Sequence, residues 1–182
     1  MNMVSPSLID VLDEYGNCTG QRASRKEVHQ QGLIHRAVHL YLVDETNHLL
    51  MQRRSLKVDH YPGEWSISLT GHVDAGESSS AALYREVKEE LGLDPVHMKF
   101  EFLFSYRQDH LTNQAYIDRQ FNDVYFCKYP FRLDQIFFNT DEVSSLERIS
   151  LSDFKTKVAE EGALLNQLYS RECEILIYLK LM

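Results

Sequence analysis

Residues 71–93, GHVDAGESSSAALYREVKEELGL, decide how this chain is read. Ser78, Ser79 and Ser80 offer hydroxyl oxygens that can accept from the free N–H groups at a helix start. Ala81 to Leu91 are good helix formers, and Gly92 suits the left-handed residue that closes a helix. The pattern predicts a helix there. On it Glu86, Glu89 and Glu90 stand at i, i+3 and i+4, so their carboxylates crowd one side. Leu83, Tyr84, Val87 and Leu91 form a neighbouring apolar arc that can be buried against a sheet.

Like charges at those spacings repel by a few tenths of a kcal/mol per pair on an exposed helix, and by more when partly buried. A hard divalent cation relieves the repulsion. Carboxylate oxygens suit Mg2+ or Mn2+, and Mg2+ commonly takes its remaining ligands from water and from substrate phosphates. Gly71 and Gly76 allow the preceding loop to turn tightly and bring backbone carbonyls close to such an ion. An isolated E-x-x-E-E is equally a solvated helix face paired with Arg85 and Lys88, so the longer pattern has to decide.

That pattern resembles the Nudix box, G-x5-E-x7-R-E-U-x-E-E-x-G-U with U aliphatic. It agrees at Gly71, Glu77, Arg85, Glu86, Val87, Glu89, Glu90, Gly92 and Leu93. The resemblance implies an α/β Nudix fold, an α/β/α sandwich around a mixed β-sheet. It also implies metal held by Glu86, Glu89 and Glu90 with the help of Gly71, and a structural pair of Glu77 and Arg85 fixing the loop on the helix. The implied reaction is attack of an activated water on a phosphorus, with Glu86 or Glu89 as the base. Glu142, in Asp141-Glu142-Val143, is a second candidate, because many relatives carry an acid in this later segment.

The flanking stretches HRAVHLYLV (35–43), LLMQRRS (49–55), YPGEWSISLTGH (61–72) and FNDVYF (121–126) resemble the isopentenyl diphosphate isomerase-like branch of that superfamily. Isomerases of this type place a catalytic cysteine just before the G-H dipeptide, where this chain has Thr70. A hydroxyl is a far weaker acid than a thiol. Their E-x-E-V pattern becomes Phe121-Asn122-Asp123-Val124 here, which loses one of two acids. Hydrolysis of a diphosphate in a small substrate, such as a nucleoside diphosphate derivative, is therefore expected. Isomerisation and a non-catalytic metabolite-binding module are the alternatives. The same resemblance puts His29, His35 and His72, with Asp123, near a second metal position. Arg54, and after it Arg53 and Lys57, are the expected phosphate contacts.

Outside the box, alternation predicts strands at Leu8–Val11, Leu33–Val43, His48–Arg53, Trp65–Leu69, Lys99–Tyr106 and Asn122–Tyr129. Ile34, Val38, Leu40 and Leu42 share one face of the second of these, with His35, Ala37, His39 and Tyr41 on the other. A polar loop with Asp109, His110, Asn113 and Asp118 is expected between the last two strands, at the border of a cleft. Helices are expected at Asp141–Glu147, Ser152–Glu160 and Ala163–Leu181. Residues 1–32 read as an extension with one short strand and a polar connector, all within a single domain of 182 residues.

A net charge of -8 disfavours nucleic acid polymers and anionic membranes as partners. Local basic groups and bound cations still leave room for a small phosphorylated substrate. The three cysteines Cys18, Cys127 and Cys173 form no C-x-x-C pair, and the first 16 residues lack a basic and then apolar leader, so a cytoplasmic setting is expected. No stretch has the roughly 18 apolar residues of a membrane span. A homodimer is compatible with the sequence, which carries no signal of oligomeric state.

Overall fold

The computed structural model describes residues 7–113 and 116–182. The chain opens with strands β1 (Leu8–Leu12) and β2 (Cys18–Ser24), then helix α1 (Arg25–Gln31). Four strands follow: β3 (His35–Val43), β4 (His48–Arg54), β5 (Trp65–Ser66) and β6 (Leu69–His72). After helix α2 (Ser79–Glu90) come β7 (Glu101–Asn113), β8 (Tyr116–Lys128), β9 (Val143–Ser150), α3 (Leu151–Ala159) and α4 (Leu164–Tyr178).

Seven strands make one mixed sheet in the order β5-β4-β3-β8-β7, with β6 added along β3 and β9 along β4. The pair β3–β8 is parallel, from His35↔Gln120 to Val43↔Lys128, and the other pairs are antiparallel. Side chains alternate across β3, and both faces are covered, so the whole strand is apolar at its centre. Val38, Leu40 and Leu42 meet Ala82, Leu83, Val87 and Leu91 of α2 on one face. Tyr41 and Val43 meet Phe154 and Val158 of α3 and Leu165, Tyr169 and Leu176 of α4 on the other. The two layers of helix about a mixed sheet make an α/β/α sandwich.

Helix α2 starts where its serines place it. Ser78 is the N-cap and its hydroxyl accepts from the Ala81 amide at 3.2 Å. It ends at Leu91, and Gly92 takes φ 62°. Leu83, Val87 and Leu91 are fully buried, each worth about 1.5–3 kcal/mol relative to exposure. That burial fixes the helix and so aims its carboxylates.

Four expectations need correction. The connector of residues 16–32 contains β2 and α1, and α1 has a capping box in which Ser24 and Glu27 bond reciprocally, with Gly32 left-handed at its end. The strand expected at 65–69 is split: Trp65–Ser66 pairs with β4, while Leu69–His72 pairs with β3 and runs into the expected turn. The polar loop around Asp109 and Asp118 is instead the distal half of a long hairpin, in which Asp109 faces Arg119 and His110 faces Asp118. Opposite charges across the strands stabilise polar arms that hydrophobic alternation does not reveal. Asn113 ends β7, and the adjoining residues 114–115 lie outside the described residues, as do residues 1–6 of the expected extension. Finally, 141–147 is a turn followed by β9, because the edge of β4 takes Val143 to Ser150 as a partner. Tertiary pairing overrides the helix-start look of Asp141-Glu142.

Residues 8–32 fold as a hairpin and short helix whose own small core is Ile9, Val11, Ala23 and Val28. They are tied to the loop before α2: Ala75 donates its amide to the Leu8 carbonyl at 2.7 Å, and Gly76 donates to Asp10 at 2.7 Å. The box loop is thus held from outside as well as from its own helix.

Candidate functional site

A cavity of about 310 Å³ opens where β3, β4 and β6 meet the end of α2. Glu86, Glu90 and Glu142 line it, with Gln52, Thr70, Gly71 and His72. The box carboxylates stand in the last turns of α2, where the helix dipole is negative and raises the cost of anions. Glu86 and Glu90 are also buried, at 8% and 6% exposure. Burial, with repulsion from Glu142 and Glu89, outweighs Arg85 and pushes the Glu86 carboxyl up to about 7. Glu90 is held well above the ordinary carboxylate range by burial, then by its hydrogen bond to Glu142 and the charge of Glu86. Two buried acids that resist ionisation without more positive charge fit a divalent cation.

Gly71 makes room for this cluster. A Cβ at Gly71 would lie 2.5 Å from Cδ and Cγ of Glu86, so only a residue without a side chain lets that carboxylate reach the cavity. Arg85 organises the loop. Its Nη2 donates to Glu77 at 2.9 Å and to the His72 carbonyl at 3.0 Å, its Nε donates to Glu77 at 3.1 Å, and its Nη1 donates to Glu86 at 2.8 Å. Gln52 donates to Glu90 at 3.3 Å, and Asn139 donates to Glu142 at 3.2 Å. Glu89 sits differently: its side chain is 58% exposed, takes a 3.3 Å contact from Arg85 and does not line the cavity.

The second half of the cavity is a histidine cluster. His29 from α1, His35 from β3 and His72 from β6 place ring nitrogens within 4.8 Å of one another. Nε2 of His29 lies 3.0 Å from Nε2 of His72 and 3.0 Å from the Tyr116 hydroxyl. Burial first, then the His35 ring and Arg25, lower His29 to about 3, and burial takes His35 to about 4. His60, stacked on Tyr116, falls to about 2 by burial and the charge of Arg54, and His72 falls well below its usual value. Neutral imidazoles offer lone pairs to a cation. Asp118, raised to about 6 by burial, lies 3.7 Å from both His29 Nδ1 and His35 Nε2. With the rings neutral those contacts are not ion pairs, and at 3.7 Å they are not hydrogen bonds. His29 Nδ1, His35 Nε2 and Asp118 Oδ1 are buried without a hydrogen-bond partner. Orphaned polar atoms of ligating type, facing one another, fit a divalent ion as well.

Asp123 is not part of this cluster. Its carboxylate accepts from Arg36 Nη1 at 2.8 Å and from the Ser79 hydroxyl, which ties β8 to the start of α2. Asp118, five residues earlier on the same strand, stands by the histidines instead. Among the basic residues, Arg54 lines the cavity and donates to the His60 carbonyl at 3.1 Å. Lys57 is at the rim, 2.6 Å from Asp141. Arg53 does not line the cavity, and its Nε donates to the Gly63 carbonyl. Arg25, which the sequence did not single out, lines the cavity with no hydrogen bond or ion pair to the described residues. The Ser24-x-x-Glu27 capping box and Gly32 were the local signal that would have placed α1, and with it Arg25 and His29.

Residues 33–168 match the family model described as the NUDIX domain. Nudix hydrolase 3 of Arabidopsis thaliana is 37% identical over 156 residues, which is 84% of this chain and 20% of that protein. The chain thus spans only a fifth of that relative's length. An isopentenyl-diphosphate Delta-isomerase 2 of Aromatoleum aromaticum is 30% identical over 148 residues, covering 81% of this chain and 75% of that protein. The solved structure of DR0079 from Deinococcus radiodurans superposes with a TM-score of 0.72 at 21% identity, covering 91% of this chain and 98% of that one. At that identity the likeness shows the fold.

Proposed function

Because the chain belongs to the NUDIX domain family, in a branch that includes proteins named isopentenyl-diphosphate Delta-isomerase, we infer that it hydrolyses a diphosphate linkage in a small substrate with the help of Mg2+ or Mn2+. The observation that carries this reading is one cavity holding both kinds of group the reaction needs. Glu86, Glu90 and Glu142 can hold a cation, and Arg54, Arg25 and Lys57 can hold phosphate oxygens.

In this reading Glu86, Glu90 and the Gly71 carbonyl are the principal cation ligands, and Glu89 contributes from the rim. Bound there, the cation supplies charge stabilisation at the phosphoryl oxygens and a polarised water. The chain's own residues do the rest. Arg85 and Glu77 fix the loop that presents Gly71, Gln52 orients Glu90, and Arg54 offers a guanidinium fork to the phosphate. Glu86, Glu89 and Glu142 are the carboxylates offered as base. His29, His35, His72 and Asp118 are positioned to hold a second divalent ion.

The histidine cluster also favours a second reading, double-bond isomerisation of isopentenyl diphosphate, against which stands the hydroxyl of Thr70 in place of a thiol. A screen of diphosphate compounds with Mg2+ and Mn2+, including isopentenyl diphosphate, separates the two by product. Release of phosphate or pyrophosphate that Glu90→Gln abolishes is the expected result. Dimethylallyl diphosphate as the product would establish the isomerase reading. Binding without turnover would leave a metabolite-sensing module.

A further inference from the structure

Glu172 of α4 is fully buried beneath the sheet, and it accepts three hydrogen bonds of 2.7 Å. Tyr106 and His39 Nδ1 reach one carboxylate oxygen, and Tyr41 reaches the other. Burial, with the charge of Glu172, pushes both phenols far above their usual range. Each tyrosine therefore keeps its single proton and directs it at Glu172. The carboxylate is an acceptor to every neighbour, so the Nδ1 of His39 carries the proton of that bond, and Nε2 is the ring nitrogen left to take up a proton.

That second nitrogen faces the cavity. His39 lines it, and Nε2 has no hydrogen-bond partner among the described residues, nor is it among the buried polar atoms cut off from solvent. Tyr169, at 5.8 Å and edge-on, packs against the ring, and Tyr169 itself is tied to Ser66 by a 2.8 Å hydrogen bond. His39 stands four residues along β3 from His35, ~13 Å by strand rise. It pairs across β6 with Thr70, next to Gly71.

The glutamates offered above as base or cation ligand are otherwise engaged. Glu86 takes Arg85, Glu90 takes Gln52 and Glu142, Glu142 takes Asn139, and Glu89 lies outside with Arg85. His39 has the arrangement of a general base: one nitrogen open to the substrate space and the other oriented by a buried acid that is itself locked by two tyrosines.

We propose that His39, rather than Glu86, Glu89 or Glu142, is the proton acceptor for the attacking water in the hydrolysis inferred above, and that Glu172 is its positioning residue. This rests on the hydrolytic reading. A lone pair of the water oxygen forms the new bond to phosphorus, and one water proton passes to Nε2. The bond from phosphorus to the bridging oxygen breaks, and its electron pair stays on the departing phosphate. The imidazolium, facing Glu172, then returns its proton to solvent.

The test compares the unaltered 182-residue chain with His39→Gln, His39→Ala, Glu172→Gln and Glu90→Gln, using the best diphosphate substrate of the screen. His39→Gln is expected to lose roughly 100-fold or more in kcat with little change in KM, and His39→Ala to recover part of it with added imidazole. Nitrogen-15 NMR of unaltered protein should show His39 protonated at Nδ1 and not at Nε2, with a changed tautomer balance in Glu172→Gln. Unchanged kcat in His39→Gln beside an inactive Glu90→Gln overturns the role of His39 and leaves hydrolysis standing. A proton found on Nε2 overturns it whether or not the variants fold. Hydrolysis of no diphosphate by the unaltered protein overturns the hydrolytic reading, and this proposal with it.

Discussion

Gly71 and Glu86 are in contact across the gap between β6 and α2: the hydrogen side chain of one leaves the space that the carboxylate of the other fills. The atoms that an added methyl would meet belong to the end of a flexible side chain, not to backbone. Gly71→Ala is therefore expected to displace Glu86 rather than unfold the protein. Its thermal unfolding should stay close to that of the unaltered chain, with a loss of about 1 kcal/mol, while affinity for Mn2+ falls at least tenfold in calorimetric titration. Unfolding with intact metal affinity would contradict this arrangement.

Arg85 distributes four hydrogen bonds among Glu77, the His72 carbonyl and Glu86. A lysine ammonium cannot span that set of acceptors. Arg85→Lys is expected to lose about 1–2 kcal/mol in urea unfolding and to weaken metal binding, because the loop carrying Gly71 loses its anchor. Equal stability and equal metal affinity would show that charge alone suffices there.

Arg54 extends its guanidinium along the cavity wall. Under the hydrolytic reading, Arg54→Ala removes charge-assisted hydrogen bonds worth about 1.5–3 kcal/mol to the phosphates. The expected signature in steady-state kinetics is a KM raised roughly 10-fold or more, with a smaller change in kcat. A fall in kcat alone would place the phosphate elsewhere.

Gly92 closes α2 at φ 62°, and a Cβ there would lie 2.4 Å from the backbone oxygen of Phe137. Here the obstacle is main chain and cannot swing aside. Gly92→Ala should cost about 2–4 kcal/mol in denaturant unfolding, the sum of left-handed strain and overpacking. A loss below about 1 kcal/mol would mean that the 137 segment yields.

Asp44, in the turn between β3 and β4, accepts from the amides of Thr46 at 2.8 Å and His48 at 3.0 Å and from Arg148 at 2.6 Å. Burial works to raise its carboxyl, but the donors of His48, Thr46 and Arg148 prevail and hold it at about 2. The folded value lies below the unfolded one, so this stabilisation is present above about pH 4 and is lost as pH falls toward 2. Asp44→Asn should be about 1–3 kcal/mol less stable at pH 7 in urea. The gap should narrow at pH 3, and a constant gap would remove the charge from the explanation.

The parts of the site that could be read from sequence are those written in one helix. Glu86 and Glu90 are one turn apart, Ser78 caps and Gly92 closes, and each inference needs only helical spacing. The faces of β3 were legible for the same reason, since alternation is local. Asp118 was not, because it meets His29 and His35 only through the parallel pairing of β3 with β8 and the docking of α1. Asp123 looked the better ligand in sequence, yet Arg36 and Ser79 take it. Glu172 reaches His39 from 133 residues away, and nothing in the local pattern of α4 marks it as other than a polar helix position. The 143–150 strand was missed because its partner, the free edge of β4, is a tertiary fact.

Arg25 and His29 come from a segment ahead of the matched family region, and Tyr169 and Glu172 from just behind it, yet all four meet around one central strand. A folding intermediate with β3, β4 and α2 in place would own its acidic box but neither wall of the chamber beyond it. Under the hydrolytic reading, turnover would then begin only when both flanking segments have docked, so activity would serve as a late-stage reporter of refolding, lagging behind the recovery of helical signal.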